Sequence, residues 1–479
     1  MAKPYTRMKK SLELRERGGL WLGKILAAAV RASGQGGTTL PGRAALSLAP
    51  HLLSSLAGQL RRGCLLVTGT NGKTTTACLL ANIFRQASFR VLHNSSGSNL
   101  AWGIASSLID AGSWSGTLPY DLGILEVDEG AFPRLIKVLQ PKGAVLTNIF
   151  SDQLDRYGAV ARIRAIIGQG LESLPEGCPV ILNADDPSAA YLAQQHRLRP
   201  VYFGFSLKLP SMHLGDPGGE LPPCPRCGQR LSYRAVYLAH LGLYRCLFCK
   251  LCRPEPQIRL TRCEPSPAGG TALTIALPGQ QIQIVFPLPG IYNLYNALAA
   301  AACASSWGLP AEHIAAGLEE AVPSWGRMER LEIGGRTVMI SLVKNAAGAN
   351  EVLRTFLEQP ARFSLLIAIN DRYGDGTDIS WLWDVDFERL AAVRQHLGAV
   401  IASGIRAADV GVRLKYAGLE PALFTVEPSL KRALQQILRQ GQGEEPVYIL
   451  PSYTAMLSLR RMLGSMGAAV PELPKRKRG

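Results

Sequence analysis

The 479-residue sequence predicts an α/β protein built from two successive parallel-sheet units. Three observations lead there. An apolar run, CLLVT at 64–68, passes through a glycine loop directly into helical patterning, TTTACLLANIFRQ. Further short apolar runs at 122–127, 143–147 and 180–183 are separated by helix-length stretches, the alternation that builds a parallel sheet covered by helices. A second series starts near Arg336, with strand candidates at 338–342, 364–369, 399–402 and 446–450.

Taken in order, residues 18–62 alternate helical patterning with a Gly/Thr/Pro loop at 34–42. Residues 205–270 are rich in Pro, Gly, Cys and Arg and break the α/β rhythm, so they read as a small inserted module. Helical patterning resumes at 292–308 and 311–322. The expected division is a helical segment at 1–62, a central unit at 63–325 with an insertion at about 205–270, a second α/β unit at 326–470, and a basic tail at 471–479.

Hydrophobic residues make up 47% and charged residues 18%, enough apolar material for real cores and too much for a disordered chain. The formal charge is +16, but +12 of it sits in residues 1–17, 201–260 and 471–479. The bulk is close to neutral, so nucleic acid is not an expected partner. The basic ends fit solvated termini, or contact with an anionic membrane surface or substrate. The longest apolar stretch, 20–30, is too short to span a bilayer and carries Lys24. No small-residue cleavage site follows it, and a cytoplasmic protein is expected.

TGTNGKTTT at 68–76 has the strand-before, helix-after context of a phosphate loop. Gly69 and Gly72 let the backbone fold closely around phosphates, and consecutive amides at a helix N-terminus favour an anion. The candidate nucleotide-binding residues are Gly69, Thr70, Asn71, Gly72, Lys73, Thr74 and Thr75. Lys73 would reach the terminal phosphates of ATP and the Thr74 hydroxyl would hold Mg²⁺. The glycines are only three apart, a shorter loop than the common pattern. A magnesium site needs a carboxylate from a neighbouring strand end, and Glu126 closes LGILE, with Asp128 and Glu129 just beyond.

Five of the ten cysteines lie between 224 and 252. Cys224-Pro-Arg-Cys227 and Cys246-Leu-Phe-Cys249 form two CxxC knuckles with 18 residues between them, a spacing suited to tetrahedral zinc in a ribbon. Cys252 makes a competing CxxC with Cys249; symmetry between the knuckles favours Cys246 with Cys249. Four thiolates saturate zinc, so the expected role is structural: the metal substitutes for a core that a module of this size could hardly build.

GTNGKTTT, TNIFSDQLDRYG at 147–158, NADDP at 183–187, YNLYNALAA at 292–300 and GRMER at 326–330 together resemble the Mur ligases. EVDEG, Gln153 in DQLDRYG, the four-cysteine insertion and DGTDISWLWD at 375–384 narrow this to the MurT branch, the ligase-like subunits of lipid II isoglutaminyl synthase. The resemblance spans about 20–457. It implies a Mur ligase central ATP-binding domain with an inserted zinc ribbon, then a Rossmann-like C-terminal domain that contacts a glutaminase partner.

The activity implied is ATP-dependent amidation of the D-glutamate α-carboxylate in lipid II, through an acyl phosphate, with ammonia from a separate glutaminase subunit, GatD. No Cys–His arrangement in the chain stands out as a glutamine-hydrolysing nucleophile of its own. The resemblance places Arg327 near the nucleotide phosphates and Asn293 against the adenine; capping of the following helix is the alternative for Asn293. It also places Asp378 in the partner's site, completing a Cys–His–Asp triad; an Asx turn is the alternative there. A lipid-linked substrate adds the expectation of a peripheral contact with the inner face of the membrane. Three positions depart from the branch's wording: Ala346 in KNAAG, Gly374 in DRYGDG and Ser452 in PSYTAM. The carbamylated lysine used by many Mur ligases has no identified counterpart. Direct amino-acid ligation and a non-catalytic nucleotide-binding scaffold stand as the competing readings.

Overall fold

Strand β1 (Cys64–Thr68) is an interior strand of the larger sheet, and its residues alternate between two cores. Leu65 and Val67 face one side, Cys64 and Leu66 the other, as the two-residue period of a strand requires. With both faces covered, such a strand reads as an uninterrupted apolar run. The computed structural model describes residues 12–32, 39–94, 99–150, 160–206, 221–267, 269–322, 326, 328–357, 362–372, 374–440 and 445–468. Arg327, the segment with Gln153, and both basic ends (1–11 and 471–479) lie outside the described residues.

The first sheet also contains β2 (Val91–His93), β3 (Leu122–Glu126), β4 (Ala144–Leu146), β5 (Val180–Asn183) and β6 (Val201–Phe205). A hairpin, β7 (Ser232–Leu238) and β8 (Leu241–Arg245), stands apart. β9 (Ile258–Pro265), β10 (Thr271–Leu277) and β11 (Gln280–Phe286) complete the sheet in the order β11-β10-β9-β6-β5-β4-β1-β3-β2. Pairing is parallel from β2 to β9 and antiparallel beyond it. From β1 the chain crosses to the edge strand β2 and returns to β3 on one side of β1, then passes to β4 on the other. The crevice at the carboxyl ends of these strands is therefore a topological switch point, where such sheets bind ligands.

Helices Lys73–Gln86, Ile291–Ser306 and Ala311–Glu319 supply one core. Leu14–Ala32, Leu40–Leu48, Leu52–Ala57, Ala101–Ala111, Phe132–Leu139 and Val160–Glu172 supply the other. The alanine-rich Ile291–Ser306 is buried almost all round because it is wedged between the sheet and neighbouring helices. Composition led us to expect an insertion reaching to about 270. β9 instead pairs with β6 in parallel from Ile258, so the sheet resumes earlier; its alternating pattern is that of a one-face-buried strand.

The second sheet runs β12-β13-β17-β14-β15-β16, with β12 (Glu329–Ile333), β13 (Arg336–Ile340), β14 (Phe363–Ala368), β15 (Leu397–Ser403), β16 (Phe424–Val426) and β17 (Val447–Pro451). Only the β12–β13 pair is antiparallel. Leu365 and Ile367 face one core, Leu366 and Ala368 the other, so this sheet is also buried on both faces.

Candidate active site and metal centre

The phosphate loop is shaped by two glycines with left-handed backbone, Gly69 at φ +125° and Gly72 at φ +83°. Both are also places of close approach. A Cβ on Gly69 would strike Thr147 Oγ1, and one on Gly72 would strike Asn296 Oδ1. Gly72 caps the helix Lys73–Gln86 with no side-chain hydrogen bond, which leaves the first-turn amides for an anion.

Lys73 is buried and folds back on its own loop, donating to Gly69 O at 2.5 Å and Thr70 O at 3.2 Å. It also pairs with Glu129 Oε1 at 3.0 Å. Burial alone would lower the Lys73 pKa, but Glu129, Glu126 and Asp128 outweigh it and hold the ammonium above its usual range. Thr74 donates its hydroxyl to Glu126 Oε2 at 2.7 Å, while Asn99 Nδ2 approaches Glu126 Oε1 at 3.3 Å. Asn94 clamps the backbone of Glu126 from both sides, accepting from its N–H at 2.8 Å and donating to its carbonyl at 2.9 Å. Thr75 is buried in the same turn.

Glu126, Asp128 and Glu129 are all buried around one lysine, an arrangement that a divalent cation would relieve. Their donor atoms do not converge as a complete metal cage; among the described residues only the four cysteines do. One carboxylate and one hydroxyl, with phosphates and water completing the shell, is how Mg²⁺ is commonly held. The Thr74–Glu126 pair fits that donor set.

The rest of the loop is held by residues to which sequence reasoning gave no role. Asn148 donates to Asn71 O at 3.1 Å and accepts the Asn71 N–H at 2.9 Å. Thr147 donates to the same carbonyl at 2.7 Å. The Thr70 hydroxyl is engaged with the backbone of Phe150, and the Thr70 N–H donates to Asn148 O at 3.0 Å, so this residue is tied down through side chain and main chain alike. From the second sheet's side, Lys344 Nζ reaches Thr70 O at 3.3 Å, and Asn345 Nδ2 donates to Asn71 Oδ1 at 3.0 Å. KNAAG is therefore in contact with the phosphate loop, although it stood out in the sequence only for Ala346.

Asn293 is buried, donates to Pro289 O at 2.6 Å, and accepts from Asn296 Nδ2 at 3.3 Å. It does not cap its helix; Gly290 holds that position. Asn296, which the sequence reading passed over, is the residue that meets the loop, accepting from the Thr76 hydroxyl at 3.3 Å.

Asp378 lies on the loop after β14, partly exposed, and accepts the Ser380 N–H at 2.8 Å. That is the Asx-turn contact, and it occupies one carboxylate oxygen, Oδ1. Asp375 is used differently: it accepts the Thr454 N–H at 2.7 Å and the Thr454 hydroxyl at 2.6 Å, pinning the loop to the helix Tyr453–Ser465. Gly374 has room for a methyl group, 3.5 Å from Tyr453, so glycine there relieves no crowding. Ser452 accepts the Asn370 N–H at 2.9 Å.

The four sulfurs of Cys224, Cys227, Cys246 and Cys249 lie within 4.8 Å of one another. Cys224–Cys249 and Cys227–Cys246 separations are 3.6 and 3.5 Å, against roughly 3.8 Å expected around tetrahedral zinc with bonds of about 2.3 Å. The knuckles repeat each other. Gly228 N–H returns to Cys224 O at 2.9 Å and Lys250 N–H to Cys246 O at 3.1 Å, each from a residue of positive φ. The Cys249 amide, donating to its sulfur, is the main pull bringing the Cys246 thiol down to about 6; burial pushes Cys224 up to about 12. Cys252 is exposed and outside the cluster, which resolves the competing spacing.

The module is anchored on the first sheet. Arg253 donates to Asp185 Oδ1 at 2.5 Å, and Tyr295 donates to Asp185 Oδ2 at 2.8 Å. Burial pushes the Asp185 carboxyl up although Arg253 opposes it. Asp186 caps the helix Pro187–Gln195 and accepts the Ile149 N–H at 2.7 Å, so NADDP joins the module to the strand end bearing Asn148.

Comparison with known proteins agrees with this geometry. Residues 67–212 match the Mur ligase middle domain, and residues 342–456 match the MurT ligase C-terminal family. The lipid II isoglutaminyl synthase (glutamine-hydrolyzing) subunit MurT of Streptococcus pneumoniae is 34% identical over 90% of this chain and 93% of its own length. Its Staphylococcus aureus counterpart is 30% identical over 94% and 98%. Among solved structures, a pseudomurein peptide ligase type C from Methanothermus fervidus superposes with TM-score 0.66 at 22% identity, covering 88% of this chain and 84% of the other. MurF ligase from Thermotoga maritima in complex with ADP gives 0.62 at 15% identity, with 88% and 84% covered. The fold is that of the Mur ligases, and the chain belongs to the MurT family of Mur-ligase-like, ATP-dependent ligase subunits.

Proposed function

We propose that the chain is the synthetase subunit of a lipid II isoglutaminyl synthase, amidating the D-glutamate α-carboxylate of the stem peptide to D-isoglutamine. The observation that carries this reading is the assembled loop: Lys73 against Gly69 and Thr70, and Thr74 paired with Glu126, in a chain matching MurT subunits along nine-tenths of its length.

A carboxylate oxygen is a poor leaving group. In the proposed reaction it takes the γ-phosphoryl group of ATP, and ADP departs. Ammonia then attacks the carbonyl carbon, and phosphate leaves with the former carboxylate oxygen, giving the amide. The first-turn amides and Lys73 would hold and neutralise the transferring phosphoryl group. Thr74 and Glu126 would hold Mg²⁺, which supplies charge neutralisation when bound. Arg327 is proposed to approach the phosphates and Asn293 the adenine. Zinc on the four cysteines is proposed as structural.

The ammonia is proposed to come from a glutaminase partner of the GatD type. Asp378 keeps Oδ2 for a partner histidine while its Asx turn fixes the loop. The division at about residues 62 and 325, with the basic tail from 471, belongs to this proposal, as does a cytoplasmic location.

The test offers the chain lipid II, ATP, and either ammonium or a panel of amino acids. Product with ammonium and none with amino acids supports the amidating reading. Product only with an amino acid would establish direct ligation, and nucleotide binding without turnover under either condition would establish a scaffold.

A further inference from the structure

A surface helix normally turns its apolar stripe inward and its polar face to water. The helix Leu14–Ala32 packs inward through Gly19, Leu20, Gly23 and Ala27, yet its outward face is apolar as well. Leu14, Trp21 and Ile25 are 86%, 49% and 59% exposed, and their spacings of seven and four put them in one line along the helix. The Trp21 indole donates to Trp114 O at 2.9 Å, which sets the exposed Trp114 beside it.

The charges on this face have one dominant sign and their own order. Arg17, Lys24 and Arg31 recur every seven residues, making a basic row beside the apolar line, and Arg15 flanks the other side. Lys24 Nζ donates to Gly112 O at 2.5 Å and lies 5.6 Å from the Trp114 ring centroid, while Arg17 keeps its guanidinium at the exposed surface. Of the helix-region acids, Glu16 is buried, Asp110 is paired with Arg31 at 2.7 Å, and Glu13 at the helix start is the one exposed carboxylate on the basic side.

The geometry points to this helix face as a docking surface for an anionic lipid bilayer, with the helix lying in the plane of the interface. The inference rests on the proposed function in that a lipid-linked substrate brings the chain to that surface. Paired tryptophans belong at headgroup depth, where an apolar ring can be buried while its N–H stays satisfied. The long basic side chains can reach the lipid phosphates while their stems cover apolar surface. A protein partner needs no such predominantly basic row beside the apolar line. No described helix is long and apolar enough to cross a membrane, so the mode is in-plane contact.

The test is co-sedimentation of the full chain with vesicles of phosphatidylglycerol and phosphatidylcholine in equal parts, against phosphatidylcholine alone. The native chain should partition onto the anionic vesicles and be released by high salt. Trp21→Ser with Ile25→Ser, and separately Arg17→Gln with Lys24→Gln, should each weaken partition by roughly tenfold while melting and nucleotide binding stay native. No partition by the native chain, or partition indifferent to both variants, overturns the inference. A dimer that forms without lipid and is lost in the Trp21 variant would make a second copy the occupant, and also overturns it. Amidation separates this idea from the function beneath it. The Trp21/Ile25 variant should be slowed on vesicle-embedded lipid II and not on a water-soluble short-chain analogue; equal rates on both overturn the docking role. Failure of the native chain on both substrates would instead overturn the proposed function.

Discussion

Thr74 and Glu126, 52 residues apart in sequence, meet at 2.7 Å where the helix after β1 faces the end of β3. The register that pairs Val67 with Glu126 places the carboxylate level with the carboxyl end of β1, so the contact follows from strand pairing. This relationship gives the magnesium assignment a direct test. Glu126→Gln keeps the size and loses the charge, and should raise the magnesium concentration needed for half-maximal amidation by about tenfold or more. A magnesium titration of initial rate measures it; an unchanged titration would remove Glu126 from the metal's shell.

Lys73→Ala should lower amidation by roughly 100-fold or more, the scale seen when one donor to developing charge is removed. Glutamine hydrolysis by the partner should persist. There is also a pH signature. The Lys73 pKa is raised in the folded chain, so the stability it contributes is fully present below about 10.5 and is lost as pH climbs through the folded value. The difference in melting temperature between the native chain and Lys73→Met should therefore shrink above pH 10.5.

Asp378→Asn retains an oxygen for the Ser380 N–H and removes the negative charge. Glutamine-dependent amidation should fall by about 100-fold or more, while ammonium-dependent amidation stays near native. Parallel assays with the two nitrogen sources decide it. Equal loss with both would mean that the residue acts on the synthetase side.

Cys246→Ser should abolish stoichiometric zinc and unfold the inserted module, whereas Cys252→Ser should leave zinc content native. Metal analysis of the purified variants, with far-ultraviolet circular dichroism, reads both effects. Because the module holds Asp185 through Arg253, the Cys246 variant should also lower the melting temperature of the whole chain.

How far the sequence carries can be judged at particular residues. Lys73, Thr74 and Glu126 announced themselves because a strand, a glycine loop and a helix are contiguous, and because a strand-end carboxylate is a local feature. The four cysteines did so through spacing alone. Asn148, Asn296, Lys344 and Asn345 did not. Their amides and ammonium reach the loop only after separate elements have packed, and no local pattern distinguishes them from ordinary surface residues. The edge hairpin β10–β11 escaped for a related reason: QQIQIVF buries every second side chain, a weak signal beside Gly- and Pro-rich flanks.

The most direct measurement is ATP-dependent amidation of lipid II by the purified chain, with ammonium and with glutamine in parallel, before and after adding a GatD-type glutaminase. The account predicts D-isoglutamine product with ammonium from the chain alone, and with glutamine only once the partner is present. Absence of product under all of these conditions, with ATP and zinc demonstrably bound, would contradict it.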